Sequence, residues 1–289
     1  MSPLIWALLI TGLTTSTLIT MSSNHWILAW LGLELNTLSI LPILMKPHHP
    51  RATEATTKYF LLQATAAALI MCASTLNAWQ TGQWTIINTT SHTATTLTTV
   101  AIMLKLGAAP AHLWYPEVLQ GVTLSTAMII TTWQKIAPMT LLYLTQNTIN
   151  TSTLIIIGLT SALVGGWTGL NQTQTRKLMA FSSIAHTGWL IVAIALNPSL
   201  ATLTITTYIL MTTTMFSLLC ATTTKTLLDL GMAWSISPPL MTTTMMTLMS
   251  LGGLPPLTGF MPKWLILKEL TTPLPLISTL LLLATLPSL

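Results

Sequence analysis

Apolar stretches of about 20 residues recur along the whole chain, separated by short polar connections. A helix of about that length crosses the hydrocarbon core of a bilayer, so the pattern predicts about ten transmembrane helices. We expect an all-α polytopic membrane protein that forms a single transmembrane domain over residues 1–289. The predicted spans are 3–21, 25–45, 57–78, 94–120, 122–145, 152–171, 178–196, 200–223, 239–270 and 273–289.

Two of the predicted spans contain helix breakers. The segment "LKLGAAP" places Gly107 and Pro110 in the fourth span, and "LMSLGGLPPLTGFMPKW", residues 248–264, interrupts the ninth span in a similar way. Unwound backbone at membrane depth is tolerated only where it is buried in protein or lines a water-filled cavity. Interrupted spans in matching positions of two halves are typical of transporters built from repeats. The two segments therefore predict two hydrated interruptions in the bundle.

The composition leaves no room for a soluble domain. Charged residues make up 5% of the chain and hydrophobic residues 52%, with a mean hydropathy of +0.72. Globular domains carry about 25% charged residues. The basic residues are scattered rather than clustered with aromatics, which argues against nucleic acid as a partner. Cys72 and Cys220 lie in apolar stretches and indicate neither a disulfide framework nor a metal site.

Basic residues in the connections follow even-numbered spans, whereas "NAWQTGQWTIINTTSH" and "ALNPSL" on the opposite side contain no Lys or Arg. The positive-inside rule therefore places the basic loops and the N-terminus on the cytoplasmic or matrix side. We expect Trp114 and Tyr115 in an interfacial aromatic belt, and a surface pair between Lys225 and Asp229, four residues apart. The basic connection residues are Lys46, Arg51, Lys58, Arg176, Lys177 and Lys225.

Four ionisable residues lie deep in apolar stretches: Glu34, Lys105, Lys135 and Lys263. Each costs about 2.5–3.5 kcal/mol at mid-membrane, so these side chains must face the interior, paired or hydrated. A static ion pair with Glu34 can neutralise only one of the three lysines. Burial disfavours the charged form of an amine, so a buried lysine can release and regain a proton. We interpret the set as a proton relay.

Two histidines are further candidates for the relay. His186 lies well inside the seventh span, and His112 follows the break at Pro110. An imidazole can pass protons between lysines, because histidine titrates near neutral pH. Each could equally be a core histidine held by hydrogen bonds.

Several segments resemble the antiporter-like membrane subunits of mitochondrial NADH–ubiquinone oxidoreductase (complex I), specifically the vertebrate chain 2 family. The resemblance runs from the N-terminus to about residue 270. It is carried by "WLGLELNTLSILPIL", "KYFLLQA", "LKLGAAPAHLWYPEVLQG", "WQKIAPM", "RKLMAFSSIAHTGW" and "SLGGLPPLTGFMPKW".

The resemblance implies two inverted repeats of five helices, each with a broken helix, over about 1–145 and 150–270. It assigns Glu34 and Lys105 to an ion pair, Lys135 to the centre of the relay, and Lys263 to its distal end. Animal members lack three N-terminal helices that bacterial relatives carry. Residues 273–289 are expected to begin a C-terminal helix, and because the chain stops inside an apolar run we expect truncation.

The resemblance also implies a role in the respiratory chain, in the mitochondrial inner membrane with the basic loops facing the matrix. The chain would be a proton-translocating core subunit without a redox centre or bound cofactor of its own. NADH, FMN, iron–sulfur clusters and ubiquinone would belong to other subunits. Expected partners are neighbouring membrane-arm and accessory subunits and lipids, including cardiolipin. The alternatives are a stand-alone cation/proton antiporter and a structural spacer that conducts nothing.

Overall fold

A computed structural model describes residues 2–89, 91–235, 237–272 and 274–285. In these ranges the regular structure is helical, apart from two isolated β-bridges. The first half of the chain contains α1 (Pro3–Ser22), α2 (Trp26–Met45), α3 (Pro50–Thr81), α4 (His92–Leu106), α5 (Trp114–Gly121), α6 (Leu124–Thr131) and α7 (Trp133–Thr145). The second half contains α8 (Thr151–Leu170), α9 (Thr175–Leu196), α10 (Pro198–Thr222), α11 (Leu227–Met232), α12 (Pro238–Gly252), α13 (Phe260–Thr271) and α14 (Pro275–Thr285).

The helices confirm the all-α architecture with about ten spans. Six of them, α1, α2, α3, α8, α9 and α10, are each long and apolar enough to cross a membrane alone. The pairs α4/α5, α6/α7 and α12/α13 correspond to three further predicted spans, and α14 lies in the tenth. The chain is therefore a multi-pass membrane protein.

The two predicted interruptions are present and have the same local geometry. Helix α4 is followed by its C-cap Gly107, with φ of +67°, and α12 by its C-cap Gly253, with φ of +87°. Glycine adopts this left-handed conformation without the steric cost that a Cβ atom brings. The Gly107 N–H donates to the carbonyls of Met103 and Leu104, which closes the end of α4. In each case an irregular segment then leads into a second short helix, α5 or α13.

The fifth predicted span is not continuous, so the prediction of one helix over 122–145 is wrong. Helix α6 ends at Thr131 and α7 begins at Trp133, with Thr132 between them at φ −106° and ψ −70°. The hydroxyls of Thr131 and Thr132 both donate to the Met128 carbonyl, at 3.0 and 2.7 Å. Such bonds from threonine to the preceding turn are associated with bent helices. This third break lies three residues before Lys135.

Helix α9 is the most enclosed of the six long spans. Buried residues make up 78% of its apolar window, against 44% or less for the other five. It packs against α5, α6, α8, α10 and α13, so it contacts helices from both halves of the chain. In each half, three long helices also precede a pair of short helices on either side of an interruption, α4/α5 and α12/α13. That order fits the predicted repeats, whose boundaries stay a prediction.

Candidate functional site

Lys135 lies at the centre of the bundle, just after the break between α6 and α7. Its side chain is 5% exposed, and its Nζ donates to the Ser183 carbonyl on α9 at 3.0 Å and to the Tyr208 hydroxyl on α10 at 3.3 Å. The Tyr208 hydroxyl in turn donates to the Thr131 carbonyl at 3.0 Å. The ammonium also lies 5.1 Å from the ring centres of Tyr115 and Tyr208, within cation–π range. Lys135 is thus held by neutral groups only.

Lys105 occupies the last turn of α4, directly before the first interruption. It is 6% exposed, and its Nζ lies 3.5 Å from Oε1 of Gln63 on α3. The Gln63 amide donates back to the Lys105 carbonyl at 3.4 Å. A cation at a helix C-terminus is stabilised by the free carbonyls and the dipole of that end. The break at Gly107 therefore helps to hold the charge that precedes it.

The expected ion pair between Glu34 and Lys105 is not formed in the structure. No oxygen of Glu34 lies within 4.0 Å of the Lys105 ammonium, although the two charges are close enough to interact electrostatically. Helix α3 packs against both α2 and α4, and its Gln63 supplies the acceptor for Lys105 instead. The Oε2 atom of Glu34 is buried and accepts no hydrogen bond in the described part of the chain.

Lys105 and Lys135 line one small internal cavity. Its volume is about 10 Å³, which is near the lower limit for one water molecule. Gln134 forms a polar bridge along its wall: its Oε1 accepts from the Tyr59 hydroxyl at 3.3 Å, and its Nε2 donates to Asn36 Oδ1 at 3.1 Å. The interior between the two lysines is therefore polar, and its amides and hydroxyl can rearrange as donors and acceptors.

Lys263 is on α13, and it reaches back across the second interruption to the end of α12. It is 6% exposed, and its Nζ donates to the Gly252 carbonyl at 2.7 Å. The ammonium thus lies at the negative end of the α12 dipole. A Cβ atom on Gly253 would lie 3.0 Å from this Nζ, so the lysine occupies space that the glycine leaves open. The second interruption therefore supplies both the carbonyl acceptor and the space for the Lys263 ammonium.

His186 lies near both Lys135 and Lys263. Its Nε2 is 3.1 Å from the Leu251 carbonyl, and its ring centre is 5.5 Å from that of Tyr208. His186, Tyr208 and Lys263 line a cavity of about 20 Å³, and a partly open crevice of about 310 Å³ also reaches His186 and Lys263. The imidazole interacts electrostatically with both lysines.

His112 does not join the other candidates. It lies in the first interruption with its side chain partly exposed, and its Nδ1 is 3.2 Å from the Pro110 carbonyl. It does not line the cavity that Lys105 shares with Lys135. Its surroundings fit a histidine that stabilises the unwound segment.

Ion pairs among the residues described involve only Lys58, which is partly exposed. Its Nζ lies 2.7 Å from a carboxylate oxygen of Glu54 and 2.7 Å from one of Glu117. Asp229 does not pair with Lys225, so that prediction is wrong. Instead, its carboxylate accepts from the N–H groups of Thr226 and Lys225, which caps α11. The three buried lysines therefore lack direct carboxylate partners in the same part of the chain.

The neutral partners of the lysines were not predicted from the sequence. Gln63, Gln134, Ser183 and Tyr208 supply or organise the hydrogen bonds of the interior. The two glutamines lie in apolar spans, as "KYFLLQA" and "WQKIAPM", and that isolated polarity is a signal that could have found them. Ser183 carries no comparable signal, because its acceptor is a backbone carbonyl that any residue supplies, and Tyr208 carries none, because nothing in its own segment connects it with Lys135.

Trp114 and Tyr115 are not interfacial residues, which corrects the expected aromatic belt at this position. Both are buried, at 7% and 2% exposure, and their rings meet edge to face at 5.4 Å. They form part of the wall around Lys105 and Lys135. The irregular segment after Gly107 turns the start of α5 inward, so these aromatics pack in the core.

Metal-ligand geometry is absent from the described ranges: no group of three His, Cys, Asp or Glu residues there could hold an ion. Cys72 is exposed and Cys220 partly buried, and both are free thiols. The amines, the imidazole and the one carboxylate of the site can bind and release protons, whereas its amides and hydroxyls donate and accept hydrogen bonds.

Comparison with known proteins places this arrangement in a family. The family described as NADH:quinone oxidoreductase/Mrp antiporter, TM, matches residues 23–286. NADH-ubiquinone oxidoreductase chain 2 of Carassius auratus is 53% identical over 290 residues, covering 100% of this chain and 83% of that protein.

Solved structures agree with the sequence match. A chain of respiratory complex I from Thermus thermophilus has a TM-score of 0.90 and 27% identity, covering 98% of this chain and 68% of that one. A chain of the Mrp complex from Dietzia sp. has a TM-score of 0.82 at 15% identity, covering 97% and 57%, and this likeness shows the fold alone. The chain therefore belongs to the NADH:quinone oxidoreductase/Mrp antiporter family of membrane subunits, among the NADH-ubiquinone oxidoreductase chain 2 proteins.

Proposed function

We propose that this chain translocates protons as a membrane-arm subunit of NADH:ubiquinone oxidoreductase, through a relay of Glu34, Lys105, Lys135 and Lys263. As a core subunit it contributes proton movement to the enzyme, while NADH oxidation and quinone reduction take place in other subunits. Moving one charge across the membrane costs about 2.3 kcal/mol per 100 mV, so the redox reaction must drive the relay.

The observation that carries the proposal is the state of the three buried lysines. Each is 5–6% exposed and donates only to neutral carbonyl, hydroxyl or amide oxygens. A buried pair of opposite charges is a stable arrangement that resists change, whereas a buried amine without a carboxylate partner has a charge that is easily lost. Three such amines in one bundle favour proton transfer over a purely structural role.

The contacts support a path from the first half of the chain to the second. Lys105 and Lys135 share one cavity, Lys135 bonds to Tyr208, and Tyr208 lines the next cavity together with His186 and Lys263. His186 serves as an intermediate carrier in this path, and His112 has no part in it. Glu34 acts on Lys105 through its charge, so a change in the Glu34 environment alters how readily Lys105 releases a proton.

The surroundings of the subunit follow from the same proposal. Other membrane-arm and accessory subunits flank it in the mitochondrial inner membrane, with lipids such as cardiolipin against its apolar surface. The basic connections and the N-terminus face the matrix. NADH, FMN, iron–sulfur clusters and ubiquinone are held by other subunits. The two inverted repeats cover about 1–145 and 150–270.

The proposal is tested by Lys135→Met in the assembled enzyme. Methionine keeps an unbranched apolar side chain of similar length but carries no exchangeable proton, so the relay loses its centre. The number of protons pumped per NADH oxidised, measured in sealed vesicles, is expected to fall. NADH oxidation in the presence of an uncoupler should continue.

Lys225→Met is the matched control, because Lys225 is an exposed lysine in the connection after α10. It should leave the pumping ratio unchanged. Lys105→Met and Glu34→Gln extend the test to the first half of the path. An unchanged pumping ratio in Lys135→Met, Lys105→Met and Glu34→Gln alike would overturn the relay and favour a structural spacer.

A further inference from the structure

Tyr208 is the buried group that connects the two halves of the proposed path. Its side chain is 2% exposed, and it lies where α10 meets α9 and the break between α6 and α7. Lys135 lines the cavity on the Lys105 side, whereas Tyr208 lines the cavity on the Lys263 side. The hydrogen bond of 3.3 Å between Lys135 Nζ and the Tyr208 oxygen therefore joins the two cavities directly.

The direction of the hydrogen bonds around Tyr208 is fixed by its partners. An ammonium can only donate and a backbone carbonyl can only accept. The single phenolic hydrogen therefore goes to the Thr131 carbonyl, at 3.0 Å, and a lone pair of the oxygen faces Lys135. The Thr131 carbonyl can take part because α6 ends at that residue, and carbonyls in the last turn of a helix lack intrahelical partners.

This geometry makes the Tyr208 hydroxyl an oriented acceptor for the charged form of Lys135. The Ser183 carbonyl holds the same ammonium at 3.0 Å, and the His186 ring packs against the Tyr208 ring at 5.5 Å. We propose that Tyr208 is a positioning residue for proton transfer: anchored on the Thr131 carbonyl, its hydroxyl holds the Lys135 ammonium at the junction with the His186–Lys263 cavity. The inference rests on the proposed function, because it assigns a role within that relay.

A purely structural role for Tyr208 makes a different prediction. If the hydroxyl only satisfies the Thr131 carbonyl, its removal leaves a buried acceptor without a donor and destabilises the bundle. The transfer of protons would not become slower at a particular step. A positioning role therefore predicts slower proton transfer in the variant, whereas a structural role predicts lower stability without slower transfer.

The test is Tyr208→Phe in the assembled enzyme, which keeps the ring against His186 and removes only the hydroxyl. A hydrogen bond to a charged group contributes enough that its loss should slow transfer through Lys135 by about tenfold or more. We expect fewer protons pumped per NADH, unchanged uncoupled NADH oxidation, and a larger solvent deuterium isotope effect on pumping. Tyr143→Phe is the matched control, because Tyr143 lies on α7, the helix that carries Lys135, but is 40% exposed.

The Tyr208→Phe results test the positioning role, and they are independent of the Lys135→Met results that test the relay. A Tyr208→Phe enzyme that pumps normally, or that loses stability without a change in the isotope effect, overturns the positioning role, while Lys135→Met tests the relay itself. If Tyr208→Phe fails to assemble, a high-resolution map of the wild-type complex decides instead. It should show the Tyr208 oxygen within hydrogen-bond distance of both Lys135 Nζ and the Thr131 carbonyl, and an oxygen turned away from Lys135 overturns the inference.

Discussion

At the scale of single residues, the glycines that follow the ends of helices have different structural roles. Gly82, Gly107 and Gly253 all have positive φ, at +71°, +67° and +87°. A Cβ on Gly82 would meet no atom within 4 Å, whereas a Cβ on Gly253 would lie 3.0 Å from both Cδ and Nζ of Lys263. Gly82 therefore serves only the backbone turn, and Gly253 also leaves space for a buried cation.

Gly253→Ala is expected to impair both stability and pumping. The left-handed conformation costs a residue with a Cβ about 1–2 kcal/mol. The new methyl group would also crowd the Lys263 side chain, which would have to shift by a few tenths of an ångström, and we expect this to weaken the hydrogen bond of 2.7 Å to the Gly252 carbonyl. Thermal unfolding of the assembled enzyme and the number of protons pumped per NADH measure the two effects.

Gly82→Ala separates the backbone cost from the displacement. It has the same sign of φ and open space around it, so it should lower stability by about 1–2 kcal/mol and leave pumping unchanged. Equal pumping by the Gly82→Ala and Gly253→Ala enzymes would contradict the role assigned to the space next to Lys263.

At the scale of elements, α11 shows how a short helix is held by its first turn. The Thr226 hydroxyl accepts from the Asp229 N–H at 3.2 Å, and the Asp229 carboxylate accepts from the Thr226 N–H at 2.9 Å. These hydrogen bonds, with one from the Lys225 N–H, lower the pKa of Asp229 below its ordinary value of 3.8. A carboxylate with a lowered pKa stabilises the folded turn above that ordinary value, and the stabilisation is lost as the pH falls through the folded pKa.

Thr226→Ala should therefore loosen α11 locally. Loss of a threonine N-cap is expected to increase the opening of the helix by about fivefold, measured as faster amide hydrogen exchange over residues 227–232. Thr226→Ser keeps the oxygen and should exchange like the wild type. In the wild type, protection should persist above about pH 4 and decline below it. Protection that is independent of pH between about 5 and 3 would contradict the capping role of Asp229.

The sequence predicts most elements, because their signals are local. Apolar runs mark the spans, and Gly107 and Gly253 mark two interruptions. The break at Thr132 escaped prediction because "STAMIITTWQK" contains neither glycine nor proline. Its freed Thr131 carbonyl is satisfied by Tyr208, which is 77 residues away along the chain. A break whose carbonyl is satisfied only by tertiary contact leaves no pattern in the segment itself.

The same distinction between local sequence signals and tertiary contacts holds for the functional site. A lysine in an apolar span is visible in the sequence, so Lys105, Lys135 and Lys263 were identified. The acceptors of Lys135 lie 48 and 73 residues away, and no spacing rule connects them with it. The absence of a direct Glu34–Lys105 pair was also not predictable, since it depends on Gln63 of the intervening helix α3.

At the scale of the whole molecule, the proposed path is a series that crosses from one half of the chain to the other at Lys135. This lysine belongs to α7 in the first half, and both of its acceptors belong to the second half, on α9 and α10. Lys105 lies in the first half and Lys263 in the second, and the proposed path between their two cavities runs through Lys135 and Tyr208. A series of this kind is limited by its slowest step.

The double variant Lys105→Met/Lys263→Met tests whether the lysines form one series. Two separate routes would carry separate fluxes, so each single variant would keep the flux of the other route and the double variant would lose both. Residues that act as one unit are strongly non-additive, because removing either already removes the function of both. We expect the pumping rate of the double variant, measured in sealed vesicles, to equal that of the more impaired single variant. A loss in the double variant equal to the sum of two partial single-variant losses would mean that each half moves protons on its own, and Lys135 would then not be the crossing point.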